Sequence, residues 1–248
     1  MTRIAISAGL ALLAAAPAAR GQAVETTATI YAWLPAVEET LQDGVEMNAD
    51  RSTILDNLDF ALMGEVVQRR GEWLFAFDGF YSDLGKSADV GLPISPGDPD
   101  NPDEIDAALD FSTSTTIFSA MAGRRMVNRP EFEFFGTLGL RYTHFETSFT
   151  AEAGDQAFRI NTNDDLLDVI AGVRGTYRID ERWALPFVAD IGTGSSDFTW
   201  QAFGGVSYSV GRHSFTGGWR HMAWQLGDGG YIEDIAYDGP VLAYSYRF

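Results

Sequence analysis

Three histidines, His144, His213 and His221, are the side chains best suited by ordinary pKa to general-base work near neutrality. Each would need an acid to hold its ring in the right tautomer. Position offers Asp234 or Asp197 for His221. For His144 it offers Glu146, two residues on and therefore on the same face of an extended chain. Peptide hydrolysis would want a second pair of acids at the outer rim, and lipid A deacylation a serine, but no serine in matching register stands out for His144 and Glu146. His213 stands beside a tight turn, where a solvated edge residue is expected. Metal chemistry is poorly served too: there is no HExxH, no clustered His/Cys spacing and no cysteine. Gly192-Thr193-Gly194 and Gly204-Gly205 read as small residues at strand bends rather than phosphate loops. The expectation is no metal, no cofactor and no catalysis.

Eight other charges have a different character. Asp59, Glu65, Asp78, Arg141, Asp168, Arg174, Asp190 and Arg220 each sit within otherwise apolar, alternating segments. Arginine forks match carboxylates, so at comparable heights these groups would pair into a network, or would line a constriction selecting solutes. The chain as a whole is acidic, with a formal charge of −18. That balance excludes nucleic acid as a partner, since phosphate binding needs clustered Lys and Arg. Asp98, Asp100, Asp103, Glu104 and Asp106 gather in a Pro/Gly-rich stretch that reads as a solvated loop, with a divalent-cation site as the sharper alternative.

The elements that must position these charges are extended. Residues 1–23 predict a cleaved signal peptide: Arg3, a short apolar run from Ile4 to Ala16, and Gly21-Gln22-Ala23 before the cut. No later window is long and apolar enough for a membrane helix. Residues 24–248 predict one domain. In it, tight polar turns (Arg70-Gly71-Glu72, Asn128-Arg129-Pro130, Asp180-Glu181-Arg182, Gly211-Arg212) alternate with mostly longer connections at 35–57, 85–107, 152–164, 194–197 and 227–236. Short turns at one end and long loops at the other are the asymmetry of outer-membrane barrels. Four turns and five loops predict ten strands, at 25–34, 58–70, 72–84, 108–126, 131–150, 166–179, 182–193, 198–210, 213–226 and 237–248, with eight or twelve as alternatives. The first long connection predicts a small hairpin, Glu38 to Met47, around Asp43-Gly44, and a helical turn from Ser52 to Leu58 capped by Ser52, an excursion over the barrel mouth.

Side-chain parity supports an all-β, closed antiparallel transmembrane barrel. Trp73, Phe75, Phe77, Gly79 and Tyr81 share one face, opposite Leu74, Ala76, Asp78, Phe80 and Ser82. Aromatics fall near the turns (Trp73, Trp183, Tyr208) or towards the loops (Tyr81, Tyr142, Trp200), as the two headgroup belts require. A charge facing lipid at mid-depth costs about 2–4 kcal/mol for Arg, so the eight embedded charges should point inward. His221 shares the outward face with Trp219, and His144 with Tyr142. Ten strands lie nearer the side-chain-filled barrels of about eight strands than the open porins of about sixteen.

The final segment Gly239 to Phe248, with Leu242, Tyr244, Tyr246 and Phe248 on alternate positions, resembles the C-terminal signal read by the barrel assembly machinery. The segments Ile54 to Gly64, Asp168 to Arg174 and Trp183 to Gly192 resemble a family of uncharacterised proteobacterial outer-membrane barrels, similar in style to the small OmpA- and OmpW-like barrels. The resemblance implies a Gram-negative outer-membrane protein, and four tight turns with five outer loops leave both termini of the mature chain periplasmic. The implied partners are membrane lipid, lipopolysaccharide and the assembly machinery. The expected role is a non-enzymatic envelope barrel, plugged by its charged interior and first outer loop. The alternatives are a narrow porin-like channel for small polar solutes and a surface hydrolase of protease or lipid A hydrolase type.

Overall fold

The computed structural model describes residues 24–41, 45–93, 104–153, 156–227 and 232–248. The expected signal peptide, the hairpin tip at Asp43-Gly44 and the acidic residues Asp98, Asp100 and Asp103 lie outside the described residues.

Alternating positions give segments such as 73–82 one outward face and one face towards the interior, and each long segment is a strand. The strands of the barrel wall are β1 (Val24–Trp33), β4 (Leu58–Arg70), β5 (Trp73–Pro93), β6 (Glu104–Asn128), β7 (Phe132–Ala153), β8 (Gln156–Arg178), β9 (Trp183–Gly194), β10 (Phe198–Val210), β11 (His213–Gln225) and β12 (Ile232–Arg247). Each pairs antiparallel with its neighbours in that order, and β1 closes the ring on β12 from Thr27 opposite Arg247 to Trp33 opposite Val241. Closure leaves no open edge in the wall at this level. The tight turns sit where expected. Gly71 and Gly211 hold φ of 62°, a left-handed conformation that glycine adopts without a Cβ penalty.

Several strands run past their predicted ends. Residues 85–93 continue β5, residues 104–107 begin β6, and residues 156–164 belong to β8, where long loops were expected. Glu104 and Asp106 of the acidic stretch thus fall within β6. Cross-strand hydrogen bonding needs no membrane, so the β5–β6 ladder runs from Trp73 opposite Arg124 to Pro93 opposite Glu104. Trp73 and Tyr81, from the two aromatic belts, are separated by roughly 27 Å of strand. The rest of β5 therefore projects beyond the loop-end belt.

The first long connection also departs from expectation. β2 (Ala36–Leu41) and β3 (Val45–Ala49) form a hairpin, but β2 extends the wall beside β12, from Ala36 opposite Asp238 to Leu41 opposite Ile232. It prolongs the ladder instead of folding across the mouth. Helix α1 (Arg51–Asp56) follows, and its cap is Asp50 rather than Ser52. The Asp50 carboxylate accepts from the Thr53 amide at 2.8 Å, and the Ser52 hydroxyl donates to the same oxygen. Those backbone and hydroxyl donors hold the Asp50 carboxyl below the usual range.

Candidate functional site

The lumen is layered, and each layer follows from which inward positions carry which side chains. Towards the loop end it is apolar. Trp33 from β1, Phe80 from β5, Phe145 from β7, Trp224 from β11 and Tyr237 from β12 converge with Met63, Ile117 and Met222 into one buried cluster. Ring centroids lie 5.5 Å apart for Trp33–Phe80, 5.9 Å for Trp33–Tyr237, 5.8 Å for Trp224–Tyr237 and 5.8 Å for Phe145–Trp224, mostly edge-on or tilted. The contacts join β1 to β5 and β7 to β11, pairs of strands that are not neighbours in the wall, so the rings reach across the lumen. Tyr237 also hydrogen-bonds Thr115 at 3.1 Å.

A polar layer lies against this cluster. The Arg220 guanidinium stacks 4.8 Å from the Trp33 ring centroid and donates to Asp78 at 3.1 Å, to the Tyr31 hydroxyl at 3.1 Å and to Gln201 Oε1 at 3.0 and 3.2 Å. Tyr31 donates to the other Asp78 oxygen at 2.8 Å. Gln201 in turn donates to Asp190, which accepts from Arg141 at 2.7 Å, and Arg141 also donates to Thr199 at 3.1 Å. The chain Asp78–Arg220–Gln201–Asp190–Arg141 therefore runs from β5 across to β11 and back round to β7. Arg174 is paired with Glu65 nearby.

Not all eight charges join this network. Asp168 is fully buried, and its nearest strand partner in register is Arg141, yet Arg141 turns to Asp190. Asp168 instead accepts the Ser196 amide at 2.9 Å and holds the β9–β10 connection. Asp59 is not brought into the network: it is exposed where the β4–β5 register slips between Leu58 and Phe60, at the loop end. The aromatic layer was missed, although Trp224 shares inward parity with Arg220 and Met222, which was a usable signal.

Below the polar layer the two sides of the lumen differ. On the β4–β8 side, Val67, Leu74, Ala76, Met121, Phe135 and Ile170 form a second buried cluster. Buried Glu133 draws Arg125 to 3.3 Å, Arg69 to 3.6 Å and Arg178 to 3.8 Å, and the first two lie over the Phe135 ring. Beside this cluster, and lined in part by its Val67 and Met121, a cavity of about 440 Å³ opens at the turn end and reaches up to Asp78 and Arg220. None of Trp33, Phe80, Phe145 and Trp224 lines it.

The outward face carries the belts. Trp73, Tyr142, Trp183 and Trp200 are exposed, Tyr81 packs on Phe60 at 5.9 Å, and Tyr208 packs on Trp183 at 4.8 Å. Leu242 and Phe248 are 71% and 67% exposed, with Tyr244 and Tyr246 between them on the same outward parity. All three histidines are partnered. His221 Nδ1 lies 3.2 Å from Asp238, not Asp234 or Asp197, and its ring packs on Trp200. The same Asp238 accepts from Trp219 at 2.9 Å and from Arg51 at 3.4 Å. His144 Nδ1 lies 2.9 Å from Asp165, which also accepts the Tyr142 hydroxyl, while Glu146 is 4.0 Å from Nε2. His213 hydrogen-bonds the Tyr244 hydroxyl at 2.7 Å. Among the described residues no histidine hydrogen-bonds a serine, and no cluster of three or more acidic, His or Cys groups is arranged to hold a metal.

No family model and no curated protein matches this sequence. Solved structures do. The outer-membrane protease OmpT from Escherichia coli aligns at a TM-score of 0.56 and 10% identity, covering 91% of this chain and 97% of that one. The translocator domain of the autotransporter NalP from Neisseria meningitidis aligns at 0.45 and 14%, covering 93% and 90%. The attachment invasion locus protein Ail of Yersinia pestis aligns at 0.39 and 12%, covering 92% and 99%. At such identities the likeness is one of fold: a closed, outer-membrane type of β-barrel.

Proposed function

We propose that this chain is a non-enzymatic barrel of the Gram-negative outer membrane whose lumen is closed at rest. The observation that carries the reading is the pair of stacked layers: aromatic rings packed across the lumen, resting on the Arg220–Asp78 and Arg141–Asp190 network. An aromatic layer excludes ions because it offers them no replacement for hydration, and the polar layer beneath has its charges committed to one another. A polar channel would want the reverse, with charges free to meet a solute.

Location follows from the outward face. Apolar positions between two aromatic belts suit a bilayer, and the alternating Leu242, Tyr244, Tyr246 and Phe248 at the end of β12 suit recognition by the barrel assembly machinery. With short turns on the periplasmic side, both ends of the mature chain are periplasmic and the long β5–β6 and β7–β8 hairpins stand among lipopolysaccharide. The hydrolase alternative is the less favoured, because His144 and His221 face outward beside tyrosine or tryptophan, and neither has a serine partner among the described residues.

Recording from the folded protein in planar bilayers tests the proposal. A closed barrel gives no stepwise conductance. Steady unitary steps that change in Arg141→Ala or Arg174→Ala would establish the narrow channel instead.

A further inference from the structure

The cavity at the turn end is asymmetric in its chemistry. Its lining carboxylates, Glu25, Glu65, Asp78, Asp180 and Glu181, come from β1, β4, β5 and the β8–β9 turn; Glu25 is paired with Arg69 at 3.4 Å, and Glu181 stands in the turn next to Arg182. Glu65 holds Arg174, Asp78 holds Arg220, and Asp180 accepts the Arg182 and Trp183 amides at 2.7 Å. The lining from β10 to β12 contains no carboxylate at all, in a chain with 35 acidic residues. That wall presents Arg212 and Arg247 at the mouth and Arg220 at the closed end, with serine and threonine hydroxyls between them. Arg182 joins the mouth from the β8–β9 turn.

The mouth arginines form no close ion pair among the described residues, although Arg182 stands near enough to Asp180 to help lower its carboxyl. Among the described residues Arg182 has the Tyr208 hydroxyl at 3.4 Å, Arg247 has the Gly211 carbonyl at 3.3 Å, and no carboxylate pairs with either of them or with Arg212. Their backbones are nevertheless fixed. The Arg247 amide donates to the Arg212 carbonyl at 2.9 Å, and the Ser209 amide donates to the Arg182 carbonyl at 2.8 Å. Hydroxyl pairs Ser209–Ser214 at 2.9 Å and Thr216–Ser207 at 3.0 Å line the path inward. Guanidinium forks on rigid turns, above hydroxyls and beside low-dielectric walls, form a ready receptor for oxyanions.

We infer that this cavity binds small, multiply charged oxyanions, bearing phosphoryl or carboxylate groups, between Arg182, Arg212 and Arg247. The inference rests on the closed-lumen reading only for the side of entry: the ligand comes and goes through the turn end. A volume of about 440 Å³ admits a metabolite-sized anion and no folded partner.

Calorimetric titration of the purified, folded barrel in zwitterionic detergent tests this, with inorganic pyrophosphate and citrate as probes. The expected result is saturable binding of one or both that weakens with salt. Binding of pyrophosphate alone assigns the site to phosphoryl groups, and of citrate alone to carboxylates. Arg212→Gln with Arg247→Gln should lower affinity by at least about tenfold, since two charge-assisted contacts go. Arg247→Lys, which keeps the charge but loses the fork, should give a smaller loss. Arg129→Gln, exposed on the β6–β7 turn and outside the lining, should change nothing. Failure of both probes to bind, or an equal loss in Arg129→Gln, overturns the site. Failure of the closed-lumen reading would appear instead as conductance, with the titration unaffected.

Discussion

Arg220 on β11 and Asp78 on β5 stand on nearly opposite walls of the barrel and meet at 3.1 Å, with Tyr31 bridging the two. The pair therefore ties the barrel across its diameter, whereas the strand ladder ties it only round its circumference. Removing one partner strands the other in a buried site. Arg220→Ala should lower unfolding stability by about 3–5 kcal/mol, read from tryptophan fluorescence in urea. Replacing both, as in Arg220→Met with Asp78→Leu, should recover much of that loss. A double variant no more stable than Arg220→Ala would show that the pair is not the cause.

Which layer closes the lumen is separable. Trp224→Ala removes a ring that touches Phe145 and Tyr237. It should cost about 3–5 kcal/mol, and combined with Trp33→Ala it should admit ions. Arg220→Ala, which leaves the rings in place, should not. Conductance from Arg220→Ala alone would assign closure to the polar layer.

Gly172 lies opposite Asp190 across β8 and β9, where an added Cβ would overlap the backbone and Cβ of Asp190. Gly172→Ala should displace Asp190 from Arg141 and lower stability by roughly 1–3 kcal/mol. The same exchange at Gly204, where a Cβ meets open space, should be near neutral. Equal effects at the two sites would remove the argument from close packing.

Asp180 caps the β8–β9 turn, and the amides of Trp183 and Arg182 hold its carboxyl below the ordinary range. A lowered folded-state pKa stabilises the fold above the unfolded value, near 3.9, and that contribution is lost as pH falls through the folded value. NMR titration should place Asp180 below an equally exposed aspartate that accepts no backbone amide. Asp180→Asn should abolish this part of the acid dependence while leaving stability at neutral pH only slightly reduced.

Phe248 donates its amide to the Thr26 carbonyl at 2.9 Å, but its ring is exposed and stacks edge-on against Tyr246. Its deletion should change the stability of protein refolded in detergent little, yet sharply reduce the amount inserted in cells. A matching loss in both measurements would make Phe248 a structural residue and not an assembly signal.

Much of this architecture was legible in the residues themselves. Alternation along residues 73–82 placed Asp78 inside, and Gly71 and Gly211 marked two of the tight turns. The spacing of turns and loops counted ten strands, because parity and turn chemistry act over a few neighbouring residues and leave a local trace. Other features depend on where distant strands meet. Asp168 and Arg141 share register, but only the closed ring brings Asp190 from the second strand along within 2.7 Å of Arg141 and leaves Asp168 to cap a turn. Hairpins extended past their predicted ends because ladders such as β5–β6 continue wherever their partners do. The layering of the lumen, aromatic above and charged below, and the arginine-lined cavity beneath them were likewise settled by tertiary structure. Parity says which side chains point inward, while barrel closure alone decides which of them share a height.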